Sequence, residues 1–305
     1  MTPDDRRPVL VLLAAGMAKR FGGACKPLAP LGLQGEAVID LTAGDARRAG
    51  FGDVVLVLSP QTGPAIEYHV RRTWPPSLPV SFPVQEVPLG TAHAVLCARR
   101  HIGERPFAVV NSDDVYGAAA LGVLARHLGT EPTEHALVGF RLDASVATDE
   151  PVTRGTCQVG DDGLLIAIAE RKLVQRQPDG TFRAGDGHQP EQLPGDTPVS
   201  MNCWGLRPSL WPVLEEAVRS AHPEVAADGT LAAPVQADHE VLLPEVIGAM
   251  VQGRAAGGAQ PVRVLPDDGR CVGVTHAEDL PVVRAELATM VARGRRPADP
   301  WEGVR

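Results

Sequence analysis

Five short apolar runs, separated by segments of helical length, constrain this chain more than any other feature. They lie at residues 9–14, 53–58, 80–84, 107–111 and 136–141. Residues 37–49, 64–72, 91–100 and 118–128, between them, carry helix-like patterns, and Gly50 stands where a left-handed helix cap is expected. The first run, Val9-Leu10-Val11-Leu12-Leu13-Ala14, is apolar without alternation, as in a strand buried on both faces. Strands alternating with helices across short loops predict a mostly parallel sheet covered on both sides. Ligands bind such sheets beyond the carboxyl ends of the strands. The polar residues that follow each run are therefore the candidate site, and they should converge.

Past residue 150 the alternation loosens. Residues 156–159 and 164–169 flank Gly160-Asp161-Asp162-Gly163, which reads as a hairpin. Residues 175–198 are rich in Gly, Pro, Gln and Asp, the composition of a mobile loop. Strands are expected at 199–206 and 262–265, helices at 208–220, 243–251 and 278–292, and little order at 223–238. Residues 1–150 thus form an α/β core. Residues 151–305 add a β-rich part and a C-terminal helix to the same domain, a division that 305 residues can support.

A formal charge of −8, from 29 basic and 37 acidic side chains, argues against nucleic acid as a partner, because binding it takes basic faces. A single nucleotide needs only local positive charge. No apolar run reaches the length of a membrane span, and the first is too short for one. The five cysteines are scattered, without CxxC or zinc-ligand spacing. A reducing, cytoplasmic setting follows as the expectation.

Three motifs follow the first, third and fourth runs. In the first, Ala14, Ala15 and Gly16 lead to Arg20 and then to Lys26-Pro27. Small residues let backbone N–H groups approach phosphate oxygens, and Arg20 and Lys26 can neutralise a triphosphate. This is neither a Walker loop nor GxGxxG. In the second, Gln85 precedes Pro88-Leu89-Gly90-Thr91. Gln85 can offer a donor and an acceptor to a base edge, Gly90 permits close approach, and Thr91 is expected to cap the next helix. In the third, an apolar strand delivers Asn111-Ser112-Asp113-Asp114 to the sheet edge. Magnesium is typically held by one or two carboxylates together with substrate phosphates. The histidines, His69, His93 and His276 among them, show no ligand spacing and read as surface or packing residues.

Together the motifs resemble those of the sugar-1-phosphate nucleotidyltransferases. That family carries Leu-Ala-Ala-Gly-x-Gly-x-Arg and then Lys-Pro after its first strand. Here Ala18 stands where the second glycine usually is. The resemblance runs over roughly residues 9–280 and is closest in the first 120. It implies a Rossmann-like α/β fold whose sheet is mixed but mostly parallel, with a β-rich acceptor-binding subdomain. It implies Arg20, Lys26 and Asp113 as catalytic residues, and Ala14, Ala15, Gly16, Gln85, Gly90 and Thr91 as nucleotide-binding. Asp113 would hold Mg2+, with Asp114 as the alternative. The second motif resembles uridylyl and thymidylyl enzymes, which favours UTP or dTTP as donor. Guanylyl enzymes instead carry Arg-Asn after the glycine.

On the acceptor side the resemblance implies Gly155, Glu170, Asn202 and a cation, either Arg171 or Lys172. A sugar-1-phosphate is the expected acceptor. A cyclitol phosphate, with a similar ring of hydroxyls, stays open as a second. Val272 stands where the family carries a second metal-binding Asp, and Asp267, Asp268, Glu278 or Asp279 could replace it only through an altered backbone path. That departure keeps a third reading open, a nucleotide-binding regulator without turnover.

Overall fold

The computed structural model describes residues 7–16, 25–130, 133–146, 150–255, 257–273 and 280–303. The chain runs β1 (Val9–Ala14), α1 (Val38–Ala49), β2 (Val54–Leu58), α2 (Gly63–Thr73), β3 (Val80–Ser81), α3 (Thr91–Ile102) and β4 (Phe107–Asn111). It continues through β5 (Asp114–Val115), α4 (Gly117–Gly129), β6 (His135–Arg141), α5 (Leu142–Ser145), β7 (Val152–Val159) and β8 (Leu165–Arg176). β9 (Phe182–Arg183), β10 (Gln192–Leu193), β11 (Pro198–Leu206), α6 (Trp211–Ala221) and α7 (Leu243–Val251) follow, then β12 (Val262–Asp267), β13 (Val272–Gly273) and α8 (Leu280–Ala292).

β1 lies between β2 and β4, parallel to both, and β3 continues the parallel set beyond β2. Both faces of β1 are buried, as its unbroken apolar run requires. Leu10, Leu12 and Ala14 enter one core with Ile39, Ala43, Leu121 and Leu124. Val9 and Val11 enter the other with Val95, Leu214 and Ile247. Each fully buried Leu, Val or Ile contributes roughly 1.5–3 kcal/mol. Phe107 adds a stacked contact with Trp211, centroids 4.7 Å apart.

Eleven strands form one sheet among the described residues. Strand β11, from the second half of the chain, is antiparallel to β4, β6 and β7. The two halves therefore share one sheet across residue 150. β4 and β7 lie on the same edge of β11, β4 opposite Trp204, Gly205 and Leu206 and β7 opposite Val199 and Ser200. Between them, at Met201, Asn202 and Cys203, the sheet forks. Asn202 takes a left-handed φ of 56° there, and the β11–β6 register shifts between Ser200 and Trp204.

Two expectations need correction. Residues 175–198 are not a plain mobile loop: they hold β9 and β10, which extend the sheet beyond β8. Buried polar contacts hold them, since the Arg171 side chain is enclosed by Asp186 and by the carbonyls of His188 and Pro190. Composition signals loops but carries no record of such a partner. The third run is also shorter than expected, with strand pairing at Val80 and Ser81 and one isolated bridge from Val84 to Leu58.

Candidate active site

The carboxyl ends of β1, β2 and β4 bring the three motifs together. Leu13 pairs with Asn111 and Ala14 with Leu58, so the strands end level. Ser112 ties the first and third motifs, its N–H and its hydroxyl both donating to the Leu13 carbonyl. Gln85 donates its backbone N–H to the Leu58 carbonyl at 2.8 Å, which sets the second motif on the same edge. Ala14 and Ala15 are buried and Gly16 is exposed at the rim. Arg20 lies outside the described residues.

Lys26 opens a short 3₁₀ turn, Lys26–Leu28, with Pro27 in its first positions. Its Nζ lies 3.7 Å from Asp113 Oδ2, a loose ion pair whose carboxylate keeps 38% of its side chain exposed. The walls of the cleft raise the Asp113 pKa by desolvation, more than the Lys26 ammonium lowers it. Asp114, next along, is buried. Its Oδ2 accepts from Asn111 Nδ2 at 2.9 Å and from the Tyr116 hydroxyl at 3.3 Å. Burial, and then the adjacent Asp113, raise its pKa to about 6. Of the two carboxylates Asp113 is the accessible one.

Gly90 has φ 97°, and a Cβ there would lie 2.4 Å from the Val241 carbonyl oxygen. Only glycine meets both demands. Gly90, not Thr91, is the N-cap of α3. The Thr91 hydroxyl instead accepts from the N–H of Leu243 at 2.8 Å, at the start of α7. The expectation of a local cap fails because a helix start distant in sequence packs closer. Gln85 also departs from its expected role of presenting both a donor and an acceptor. Its Nε2 donates inward, to the Gly90 carbonyl at 2.9 Å and toward His93 Nδ1 at 3.1 Å.

The acceptor candidates flank the fork. Gly155 pairs with Ser200 on one side and Glu170 on the other. Glu170 and Lys172 are exposed, 3.8 Å apart, and line a cleft of about 440 Å³ with Thr153, Leu173, Asp186 and His188. Arg171 points the opposite way, as successive strand residues do. It is buried with Asp186 at 2.8 Å, and its guanidinium holds the Asp186 carboxyl well below the usual range. Of the two cations offered by the sequence, Lys172 is the one left in the cleft. The Asn202 Oδ1 accepts from the Trp204 indole N–H at 3.3 Å.

Sequence reasoning missed the residues that fill the fork. The Tyr116 hydroxyl donates mainly to the Met201 carbonyl at 2.8 Å, sharing its one hydrogen with Asp114, and accepts from the Asn111 N–H at 3.0 Å, which joins β4 to β11. Arg154 donates to the Ser145 carbonyl at 2.6 Å and sits within electrostatic reach of Asp114. An aromatic two residues past an acidic pair was the available signal for Tyr116. Val272 pairs with Val115 and Gly273 with Asp114, so this strand passes beside the acidic pair without supplying a carboxylate at those two positions. Asp267 is buried, its Oδ1 accepting from the Gly269 N–H. Glu278 and Asp279 lie outside the described residues. Among the described residues no three His, Cys, Asp or Glu side chains form a metal-binding group. No helix among them is long and apolar enough to cross a membrane.

The residues that carry the three motifs at one sheet edge fall within an NTP transferase domain. The profile of the MobA-like NTP transferase domain matches residues 10–177, more than half the chain, and the chain belongs to that family. It is 26% identical over 153 residues to UTP–glucose-1-phosphate uridylyltransferase of Bacillus subtilis (strain 168), a match that covers 43% of this chain. The chain spans about half, 52%, of that relative's length. Among solved structures it is similar to UDP-glucose pyrophosphorylase complexed with UDP-glucose, with a TM-score of 0.60 at 14% identity. That likeness covers 93% of this chain and 99% of the other. It is also similar to HddC from Yersinia pseudotuberculosis complexed with GMP-PN, with a TM-score of 0.56 at 15% identity over 92% of this chain and 99% of the other. At such identities these structures show a shared Rossmann-like α/β fold.

Proposed function

We propose that the protein transfers a nucleoside monophosphate from an NTP, UTP or dTTP by preference, to a sugar-1-phosphate, forming an NDP-sugar and releasing pyrophosphate. The observation that carries this reading is the Lys26–Asp113 pair, a cation and an accessible carboxylate at the edge where Ser112 holds the end of β1, just before Ala15 and Gly16. An acceptor phosphate oxygen attacks the α-phosphorus in line. The bond to the β-phosphate oxygen breaks and its electrons leave with pyrophosphate. No covalent enzyme intermediate is needed, so catalysis is positioning and charge neutralisation.

In this reading Lys26, with Arg20, steadies the β- and γ-phosphates. Glu170 and Asn202 hold acceptor hydroxyls, and Lys172 offsets the acceptor phosphate. Asp113 would hold Mg2+, and the residues present fit that role: one accessible carboxylate leaves the remaining positions to phosphates and water. When bound, the ion supplies neutralisation of charge between donor and acceptor phosphates. The forked sheet supports this division, with donor motifs ending on the β4 side and Gly155 and Glu170 on the β7 side.

The test is pyrophosphate release with a panel of NTPs and sugar phosphates. UTP or dTTP is expected to outcompete ATP and CTP. The uridylyl name of the Bacillus subtilis relative supports this, whereas the fold alone does not choose a base. A clear preference for GTP overturns it. NTP binding without any turnover favours the regulator reading.

Calorimetric titration separates donor from acceptor without knowledge of the sugar. Lys26→Ala is expected to weaken NTP binding by roughly ten- to a hundredfold, the loss of a charge-assisted phosphate contact of about 1.5–3 kcal/mol. Glu170→Ala should leave NTP binding almost unchanged. Equal losses in both variants would sink the division of the cleft.

A further inference from the structure

We propose that His93 is a positioning residue that sets how Gln85 reads the donor base, holding both amide hydrogens inward so that only the carbonyl oxygen remains for recognition. The inference rests on the nucleotidyl-transfer reading above and adds a residue to it. His93 is fully buried on α3. Its Nε2 lies 2.9 Å from the Gly229 carbonyl oxygen, an acceptor, so Nε2 carries the proton. Burial is the main cause of a pKa below the ordinary histidine value, which favours a neutral ring, and the hydrogen bond to the Gly229 carbonyl opposes it. Nδ1 is then an acceptor, and it faces Gln85 Nε2 at 3.1 Å.

The other amide hydrogen of Gln85 meets the Gly90 carbonyl at 2.9 Å. Carbonyls anchor both ends of the chain, at Gly90 and at Gly229. A flipped Gln85 would set oxygen against oxygen at Gly90 and oxygen against an unprotonated nitrogen at His93. The orientation is therefore dictated, and no hydrogen bond among the described residues uses the Gln85 carbonyl oxygen.

The far anchor is built for the purpose. Gly229 has φ 80°, and a Cβ there would lie 2.6 Å from the Cys97 backbone nitrogen, so the turn seats directly on α3. The Arg99 guanidinium donates to the Ala227 carbonyl at 2.9 Å, and Arg100 pairs with Asp228. A lone acceptor at the base edge accepts the N3–H of uracil or thymine. Against cytosine, whose N3 is itself an acceptor, it leaves two acceptors facing each other. A site built to hydrogen-bond one edge rejects the analogue that cannot answer it.

Two substitutions separate this role from packing. His93→Asn can keep an acceptor near the place of Nδ1 but loses the donor to Gly229. His93→Gln can keep the donor but loses the acceptor. The measurement is the ratio of kcat/KM for UTP over CTP, with NTP binding by calorimetry beside it. The parent is expected to favour UTP by a factor of about 10² or more. His93→Gln should lower that ratio at least roughly tenfold, mostly by improving CTP, and His93→Asn should stay within about threefold of the parent. A parental ratio in His93→Gln, or loss only in His93→Asn, overturns the proposal in favour of a packing role. If His93→Gln does not fold, His93→Leu replaces it: a ratio lowered at least roughly tenfold with NTP binding kept supports the proposal, and a parental ratio overturns it. A parent that binds UTP but does not discriminate against CTP overturns this inference alone. A parent that binds no NTP removes the reading beneath it as well.

Discussion

Asp113→Asn is expected to cut transfer by roughly 10²–10³ and to leave the fold standing. Asp113 follows the apolar strand β4, pairs loosely with Lys26 at 3.7 Å and keeps 38% of its side chain exposed. Asparagine is nearly the same size but carries no charge, so it offers a metal only a neutral oxygen. If Asp113 holds the metal as proposed, losing its charge would remove several kcal/mol of transition-state stabilisation. At 1.36 kcal/mol per decade, a loss of about 3–4 kcal/mol is a fall of roughly 10²–10³ in kcat. Pyrophosphate release at saturating magnesium measures it, and circular dichroism with thermal melting checks the fold. Near-parental turnover in the purified variant would move the role to Asp114. That is the poorer placement, because its carboxylate is buried and already accepts from Asn111 and Tyr116.

The largest expected loss of stability lies far from this site in sequence. Arg296 and Asp45 are 6% and 1% exposed, with Nη2 and Oδ2 2.9 Å apart. Arg296 Nη2 also donates to the Leu41 carbonyl at 2.8 Å, which ties the segment after α8 onto α1. Burial raises the Asp45 pKa, opposed by Arg296 and then Arg48. The pair is imperfect: its 2.9 Å contact lacks hydrogen-bond geometry, and Asp45 Oδ2 and Arg296 Nε have no hydrogen-bond partner. Removing one member of a buried pair costs about 3–5 kcal/mol, and Arg296→Met falls at the lower end because Arg48 still pairs with Asp45 Oδ1 at 2.6 Å. Arg296→Met is therefore expected to lower Tm by on the order of 5–10 °C. Asp45→Leu/Arg296→Met should recover part of that loss, because the one charge it leaves without its carboxylate, Arg48, is partly exposed to water. A double variant less stable than Arg296→Met would show that the pair stabilises the fold on balance.

The order of elements and the three motifs were legible in the sequence because their signals are local. An unbroken apolar run marks β1, and the strand that ends at Asn111 carries Asp113 to the sheet edge wherever the sheet lies. Gly50, at φ 103°, closes α1 in the left-handed conformation expected of it. The parallel core, and a ligand site at its carboxyl edge, follow from alternation alone.

Contacts between residues far apart were not legible. Neighbouring cations Arg171 and Lys172 read alike, yet Asp186 draws one into the interior and leaves the other in the cleft. Thr91 reads as a local cap, yet its hydroxyl serves Leu243, 152 residues away. Gln85 reads as a two-way reader of bases, yet the Gly90 carbonyl and His93, itself anchored 136 residues away at Gly229, turn its hydrogens inward. Period and turn chemistry act within a few residues, so the local pattern sets the order of the core strands and which side chains reach the sheet edge, but not the short strands β9 and β10. Packing between distant segments chooses which of those side chains are left to meet a ligand. A polar group is claimed by whichever partner packing brings within about 3 Å, and for a buried group an unmade bond costs more than a distant one.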